Sequence, residues 1–130
     1  MTQSRKPCAV ALVAEDEAVI RMEAADVLAD AGFDVFEAGT AQAALSYLDA
    51  HPEVSLLVTD IRMPGPVDGL ALAHQVCARW PAMSIIVVSG RVVPKPAELP
   101  RAARFVGKPY HASEIRQVML EMGLQSFDPC

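Results

Sequence analysis

Two kinds of apolar pattern alternate along the chain, and they predict alternating strands and helices. Short, continuous apolar runs are typical of strands that are buried on both faces. The predicted strands are residues 8–14, 33–38, 54–59, 84–88 and 104–107. Elsewhere apolar side chains recur every three or four residues, which is the pattern of an amphipathic helix. The predicted helices include residues 20–31, 41–48, 73–80 and 115–122.

Local residue chemistry predicts where several of these helices begin and end. Thr40 and Asp68 are predicted N-caps, because their side-chain oxygens can accept a hydrogen bond from a free backbone N–H. Gly32 and Gly123 stand where a glycine commonly closes a helix. The boundaries therefore agree with the apolar pattern.

The connection between the fourth and fifth strands is rich in proline and departs from this regularity. It contains Pro94, Pro96 and Pro100. A proline inside a helix removes a hydrogen bond and clashes with the preceding turn. We therefore expect a short or distorted helix at about 96–103.

Five strands that alternate with helices predict a doubly wound α/β fold. Each βαβ unit should be right-handed, so the strands form one parallel sheet with helices on both faces. Ligands bind such sheets beyond the carboxyl ends of the strands. The loops of interest are those that follow Ala14, Thr59, Val88 and Val106.

Composition narrows the class of protein further. A chain of 130 residues with 52% hydrophobic and 21% charged residues fits one globular domain. The net charge of −5 disfavours nucleic-acid binding, which needs a basic surface. No apolar run approaches the length of a membrane span, and the three separated cysteines do not have zinc-site spacing. We expect a cytoplasmic protein that binds neither membrane nor nucleic acid.

The loops after these strands contain a complementary set of polar residues. They are Glu15 and Asp16, Asp60, Ser89, and Lys108. Carboxylates crowded into one crevice repel one another, so they need protons or a cation. A dense set of oxygen ligands suits a hard divalent ion such as Mg²⁺. A capping role for Glu15 and Asp16 at the first helix is the simpler alternative.

The residues of these loops resemble a known family. The segments that show the resemblance are LVAEDE (12–17), LLVTDIRMPG (56–65), DGL (68–70), VVSG (87–90) and FVGKPY (105–110). Together they resemble the receiver domain of bacterial two-component response regulators. The resemblance implies a flavodoxin-like, five-stranded parallel sheet with strand order 2-1-3-4-5. It also implies one receiver domain over residues 1–130, with a core at about 8–123, of the stand-alone type or cut from a longer protein.

The resemblance implies a role for each polar residue at the strand ends. Asp60 would be the phosphoacceptor, a carboxylate nucleophile that forms an acyl phosphate. Asp16, Asp60 and the backbone carbonyl of Arg62 would bind Mg²⁺ directly, and Glu15 would bind it mainly through water. The donor would be a phosphohistidine on a histidine kinase or histidine phosphotransferase, and the downstream protein is unknown.

The remaining implied roles concern the response to phosphorylation. Ser89 and Lys108 would each bind a phosphoryl oxygen, and the bond from Lys108 to Pro109 would be cis. Phe105 would be the switch residue that turns inward as Ser89 moves. Arg62 and Arg91 lie two residues beyond Asp60 and Ser89, where they would modulate the rate of dephosphorylation, and we favour shielding of the phosphoryl group.

Two other functions are alternatives to the phosphoacceptor role. A phosphohydrolase with an aspartate nucleophile would typically have an acid two residues after it, and here that position is Arg62. A pseudo-receiver that only binds proteins would normally lack an acid, the hydroxyl or the lysine, and none is missing. The sequence therefore favours a regulatory phosphoacceptor over an enzyme.

Two segments depart from the family pattern. The 64–69 loop has one extra residue, and the connection between the fourth and fifth strands is rich in proline. The proline-rich connection puts dimerisation through the usual output face in doubt.

Overall fold

The architecture is a single parallel sheet with helices on both faces. The computed structural model describes residues 9–90 and 92–124. Its five strands, in chain order, are β1 Val10–Ala14, β2 Asp34–Ala38, β3 Val54–Asp60, β4 Ser84–Ser89 and β5 Ala103–Gly107. The helices are α1 Ala18–Asp30, α2 Ala41–Ala50, α3 Gly69–Arg79 and α4 Ala112–Glu121. The strand order β2-β1-β3-β4-β5 confirms the predicted doubly wound α/β fold.

Alternate residues of each strand enter one of two apolar layers. On one face, Leu12 and Leu57 pack with apolar side chains of α2 and α3. On the other face, Val13 and Val58 pack with apolar side chains of α1 and α4. Because the side-chain period of a strand is two, a central strand covered on both sides must be apolar at nearly every position. This requirement explains the continuous apolar runs.

Several strand ends differ from the predicted ones. Among the described residues β1 begins at Val10, and Cys8, the predicted first residue of this strand, lies outside the described residues. Phe33 is not part of β2, because its backbone N–H donates to Leu28 O at the end of α1. β3 and β4 each include one polar residue more than predicted, since Asp60 and Ser89 still pair with their neighbouring strands.

The predicted caps are confirmed. The Thr40 hydroxyl accepts a hydrogen bond from the Ala43 N–H at 3.0 Å, and the Asp68 carboxylate accepts one from the Ala71 N–H at 2.9 Å. Gly32 ends α1 with a φ of 102°, in the left-handed region that favours glycine. Asp68 thereby fixes the start of α3 directly after the loop that follows β3.

The proline-rich connection forms less helix than predicted. A 3₁₀ turn at Pro96–Glu98 confirms the expectation of a short or distorted helix, but the predicted extent of 96–103 is too long. Leu99 precedes Pro100 and has extended backbone angles of −88° and 140°. Proline disfavours helical geometry at the residue before it, which explains why the turn stops there. The chain then enters β5 at Ala103.

Among residues 9–90 and 92–124, no helix is both long enough and apolar enough to cross a membrane.

Candidate functional site

The carboxyl ends of the strands bring three acidic side chains together. Glu15 and Asp16 follow β1, and Asp60 ends the neighbouring strand β3. One carboxylate oxygen from each of the three lies within 4.8 Å of the others. Because β1 and β3 are adjacent and parallel, their last residues must meet at the same edge of the sheet. The predicted acidic cluster is therefore present.

Lys108, which follows the edge strand β5, connects that strand to the acidic cluster. Its ammonium donates hydrogen bonds to Glu15 Oε1 at 2.9 Å and to Asp60 Oδ2 at 3.0 Å. Its backbone N–H donates to Ser89 O at 2.9 Å, which joins the ends of β4 and β5. The bond from Lys108 to Pro109 is cis, as expected. One cation thus neutralises part of the charge on two carboxylates.

Asp60 is held firmly although it ends its strand. It is only 9% exposed, and the following backbone N–H, that of Ile61, donates to Val88 O at 3.0 Å. Its second carboxylate oxygen, Oδ1, accepts a hydrogen bond of 3.3 Å from the Arg62 N–H. Both oxygens therefore have a fixed direction relative to the cleft beyond the sheet.

Glu15 and Asp16 are adjacent but lie in different surroundings. Glu15 is 3% exposed, and its Oε2 accepts a hydrogen bond from the Glu17 N–H. Burial, partly opposed by that hydrogen bond, raises the pKa of the Glu15 carboxyl group to about 7. Asp16 is exposed and borders an open cleft of about 560 Å³ together with Arg62 and Asp68. The cluster thus has one carboxylate that is open to solvent and one that is closed off.

The electrostatics of Lys108 follow from the same contacts. Burial alone would lower the pKa of its ammonium group, because desolvation penalises the charged form. The hydrogen bonds and charges of Glu15 and Asp60 outweigh burial, and the pKa is raised. The lysine therefore remains charged at neutral pH and can pair with an anion.

The donor set fits a hard divalent cation. Glu15, Asp16 and Asp60 offer three carboxylate oxygens in one place, and magnesium prefers carboxylates together with water and phosphate oxygens. Asp16 faces the open cleft, so such an ion could keep several water ligands. The site residues are therefore compatible with Mg²⁺.

Comparison with known proteins identifies the family. The family model described as the response regulator receiver domain matches residues 11–120 of the chain. The chain belongs to the response regulator receiver family. Receivers are the phosphoacceptor signalling domains of two-component systems, and they bind Mg²⁺ at an acidic pocket.

Individual relatives agree with this identification. The transcriptional regulatory protein PdtaR of Mycobacterium tuberculosis is 31% identical over 107 residues, which are 80% of this chain and 51% of that protein. The chain thus spans about half the length of this curated relative. A receiver protein of Sinorhizobium medicae superposes with a TM-score of 0.80 at 26% identity, covering 88% of this chain and 93% of that one. A receiver protein of Pseudomonas putida does so with a TM-score of 0.76 at 30% identity, covering 90% and 99%.

The two residues of the receiver predicted to respond to phosphorylation lie on neighbouring strands. Ser89 is 2% exposed, and its hydroxyl accepts a hydrogen bond of 3.1 Å from the Val92 N–H. Phe105 is half-buried and packs against the apolar layer under α2 and α3. Residue 105 pairs with Val87, two positions before Ser89. A displacement of the hydroxyl would therefore occur close to the aromatic ring.

Of the two arginines predicted to modulate the rate of dephosphorylation, one lies within the described residues. Arg62 is exposed and borders the cleft beside Asp16. Arg91 lies outside the described residues. Within residues 9–90 and 92–124, the structure of the receiver therefore places Arg62 at the rim of the cleft.

Two residues of the receiver site were missed by sequence reasoning. Gly69 begins α3, and a Cβ atom there would overlap the backbone carbonyl of Asp60. Arg21, on α1, donates a hydrogen bond of 2.8 Å to Glu15 O. The pair Asp68-Gly69 signals the start of a helix, but it does not signal how closely α3 approaches Asp60. No comparable signal marked Arg21, which occupies an ordinary polar position of a helix.

Proposed function

We propose that this receiver accepts a phosphoryl group on Asp60 from a phosphohistidine of a histidine kinase or histidine phosphotransferase. In this proposal Mg²⁺ is held by Asp16, Asp60 and the backbone carbonyl of Arg62, with Glu15 acting mainly through water. The observation that carries the proposal is the position of the Lys108 ammonium, which bonds to Asp60 and Glu15 at the same time. A cation fixed beside an acceptor carboxylate is what transfer of an anionic group requires.

The proposed transfer is a simple exchange of bonds. An Asp60 carboxylate oxygen attacks phosphorus, the new acyl O–P bond forms, and the N–P bond to the donor histidine breaks. The histidine ring leaves with the electron pair of that bond. Bound Mg²⁺ would supply positive charge to the phosphoryl oxygens. The chain's own contribution is to orient Asp60 through the Arg62 N–H and to keep Lys108 charged.

Phosphorylation of Asp60 would change the positions of residues on and next to β4 and β5. Lys108 now bonds to Asp60 Oδ2, and a phosphoryl oxygen would replace that partner. The Ser89 hydroxyl, which now accepts from the Val92 N–H, would turn to donate to a second phosphoryl oxygen. Phe105 would then move inward and alter the surface offered to an unknown downstream protein.

The lifetime of the acyl phosphate would depend on two arginines. Arg62, at the rim of the cleft, would shield the acyl phosphate from water, and Arg91 is assigned the same role from its position in the sequence. The chain would act as one domain over residues 1–130, in the cytoplasm, as a regulatory phosphoacceptor rather than an enzyme. The net charge of −5 favours a protein partner over nucleic acid.

The proposal is tested by intact-mass spectrometry after incubation with acetyl phosphate, with and without Mg²⁺. The wild-type protein should gain the mass of one phosphoryl group only when Mg²⁺ is present, and Asp60→Asn should gain none. Asp68→Asn is the matched control, because Asp68 lies on the same cleft but caps α3, and asparagine also caps helices. Labelling of Asp60→Asn equal to that of the wild type would refute the assignment.

A further inference from the structure

Arg21 connects three parts of the receiver near the acidic cluster. It lies on α1, and its Nη1 donates a hydrogen bond of 2.8 Å to the backbone oxygen of Glu15. Its Nε donates one of 3.0 Å to Glu37 Oε1 on the edge strand β2. The Arg21 side chain is 22% exposed and that of Glu37 is 39% exposed. The guanidinium group is therefore fixed at two points, as its planar geometry allows.

These contacts hold the peptide that leads into Asp16. The Glu15 N–H donates to Ala38 O at 3.0 Å, and the Glu15 carbonyl accepts from Arg21. The main chain of Glu15 is thus bound on both sides, once by the end of β2 and once by α1. The Glu15–Asp16 peptide plane is fixed as a result, and this plane sets the direction in which the Asp16 side chain leaves the backbone.

Asp16 depends on that support more than Glu15 does. The Glu15 carboxylate is buried and bonds to Lys108 and to the Glu17 N–H. Asp16 is exposed, and within residues 9–90 and 92–124 no hydrogen bond or ion pair of its side chain is found. The backbone alone therefore positions the Asp16 carboxylate among the described residues.

We propose that Arg21 is a positioning residue for the divalent-cation site, holding the Glu15–Asp16 peptide so that Asp16 is ready to bind the ion. Glu37 acts one step further away, because it fixes the guanidinium group. This inference rests on the proposed Mg²⁺ site and deepens it. It assigns the edge strand β2 and the first helix a part in metal affinity, although neither provides a metal ligand.

The charge of Arg21 acts in the opposite direction to its contacts. A permanent positive charge near the cluster disfavours a second cation, so removal of that charge alone would tighten Mg²⁺ binding. Loss of the hydrogen bond to Glu15 O frees the peptide and weakens binding. The two effects can be separated with Arg21→Lys, which keeps the charge but cannot bond to both acceptors in the same fork.

The test is calorimetric titration of Mg²⁺ into the metal-free full chain. Arg21→Ala should weaken binding by about tenfold, the lower end of what loss of a supporting contact costs at metal sites. Arg21→Lys keeps the charge and loses at least one of the two hydrogen bonds, so it should also weaken binding, and Glu37→Gln should weaken binding by a smaller factor than Arg21→Ala. Arg104→Ala is the control, since Arg104 also forms an ion pair with a glutamate, Glu121, at 2.9 Å, although its side chain is more exposed at 46%. It should bind Mg²⁺ as the wild type does.

Melting temperatures in EDTA complete the test by separating positioning from general destabilisation. Arg21→Ala and Arg104→Ala should both remain folded at the temperature of the titration, while only Arg21→Ala loses affinity for Mg²⁺. Wild-type affinity in Arg21→Ala, or tighter binding, overturns the inference and leaves the proposed function intact. Equal weakening in Arg104→Ala also overturns it. If the wild-type protein itself binds no Mg²⁺, the proposed metal site fails and the inference fails with it.

Discussion

At the scale of single residues, Glu15 determines how the site responds to pH. Its carboxyl group is buried beside Asp60, and burial raises its pKa to about 7 in the metal-free protein. An exposed carboxyl group ionises near pH 4, so the folded chain retains a proton that the unfolded chain has already lost. A cation at the cluster favours the ionised form and would release that proton.

The first prediction follows from this linkage. Because the pKa of Glu15 is raised in the folded state, its contribution to stability is fully present below the unfolded pKa and is lost as pH rises through about 7. In EDTA, the melting temperature of the wild-type protein should therefore fall relative to that of Glu15→Gln between about pH 5 and about pH 8. The comparison is made by differential scanning calorimetry on both proteins. Parallel pH profiles would contradict the raised pKa.

At the scale of elements, local chemistry explains most of the helix boundaries. Thr40 and Asp68 act as the predicted caps, since a capping hydrogen bond depends only on neighbours within three residues. The 3₁₀ turn at Pro96–Glu98 is shorter than the helix predicted at 96–103. The cause is again local, because a proline disfavours helical geometry at the residue before it. Pro100 restricts Leu99 to extended backbone angles, so the turn ends before Leu99.

Gly69 shows what local chemistry does not reveal about an element. The start of α3 presses against the end of β3 so closely that a Cβ atom at Gly69 would overlap the Asp60 carbonyl. The Gly69 N–H also donates to Ile61 O at 2.8 Å, so the helix cannot simply move away. This close approach depends on the tertiary position of α3, which the sequence pattern leaves open.

A second prediction concerns that contact. Gly69→Ala should lower the free energy of unfolding by at least about 2 kcal/mol, since overpacking against backbone forces a shift of the helix or the strand. Urea denaturation provides the measurement. Gly65→Ala is the control, because nothing lies within 4 Å of a Cβ there, although its φ of 99° makes alanine strained as well. The displacement should also slow phosphorylation of Gly69→Ala by acetyl phosphate but not of Gly65→Ala.

At the scale of the whole molecule, strand order explains why the site could be anticipated. Polar residues at the ends of β1, β3, β4 and β5 belong to four separate segments, and only the parallel topology brings them to one edge. The predicted acidic cluster and the bridging position of Lys108 therefore follow from fold class and loop content. The contact between Arg21 and Glu15 O does not follow, because it depends on how α1 is rotated against β2.

The central claim is that the phosphoryl group resides on Asp60. An acyl phosphate is reduced by borohydride to the alcohol, so the modified aspartate becomes homoserine and can be located by mass spectrometry of peptides. After treatment with acetyl phosphate and Mg²⁺, the account predicts homoserine at position 60, with Asp16 and Asp68 unchanged. Homoserine at Asp16 or Asp68, or no reduced residue in protein that carries the added phosphoryl mass, would contradict it.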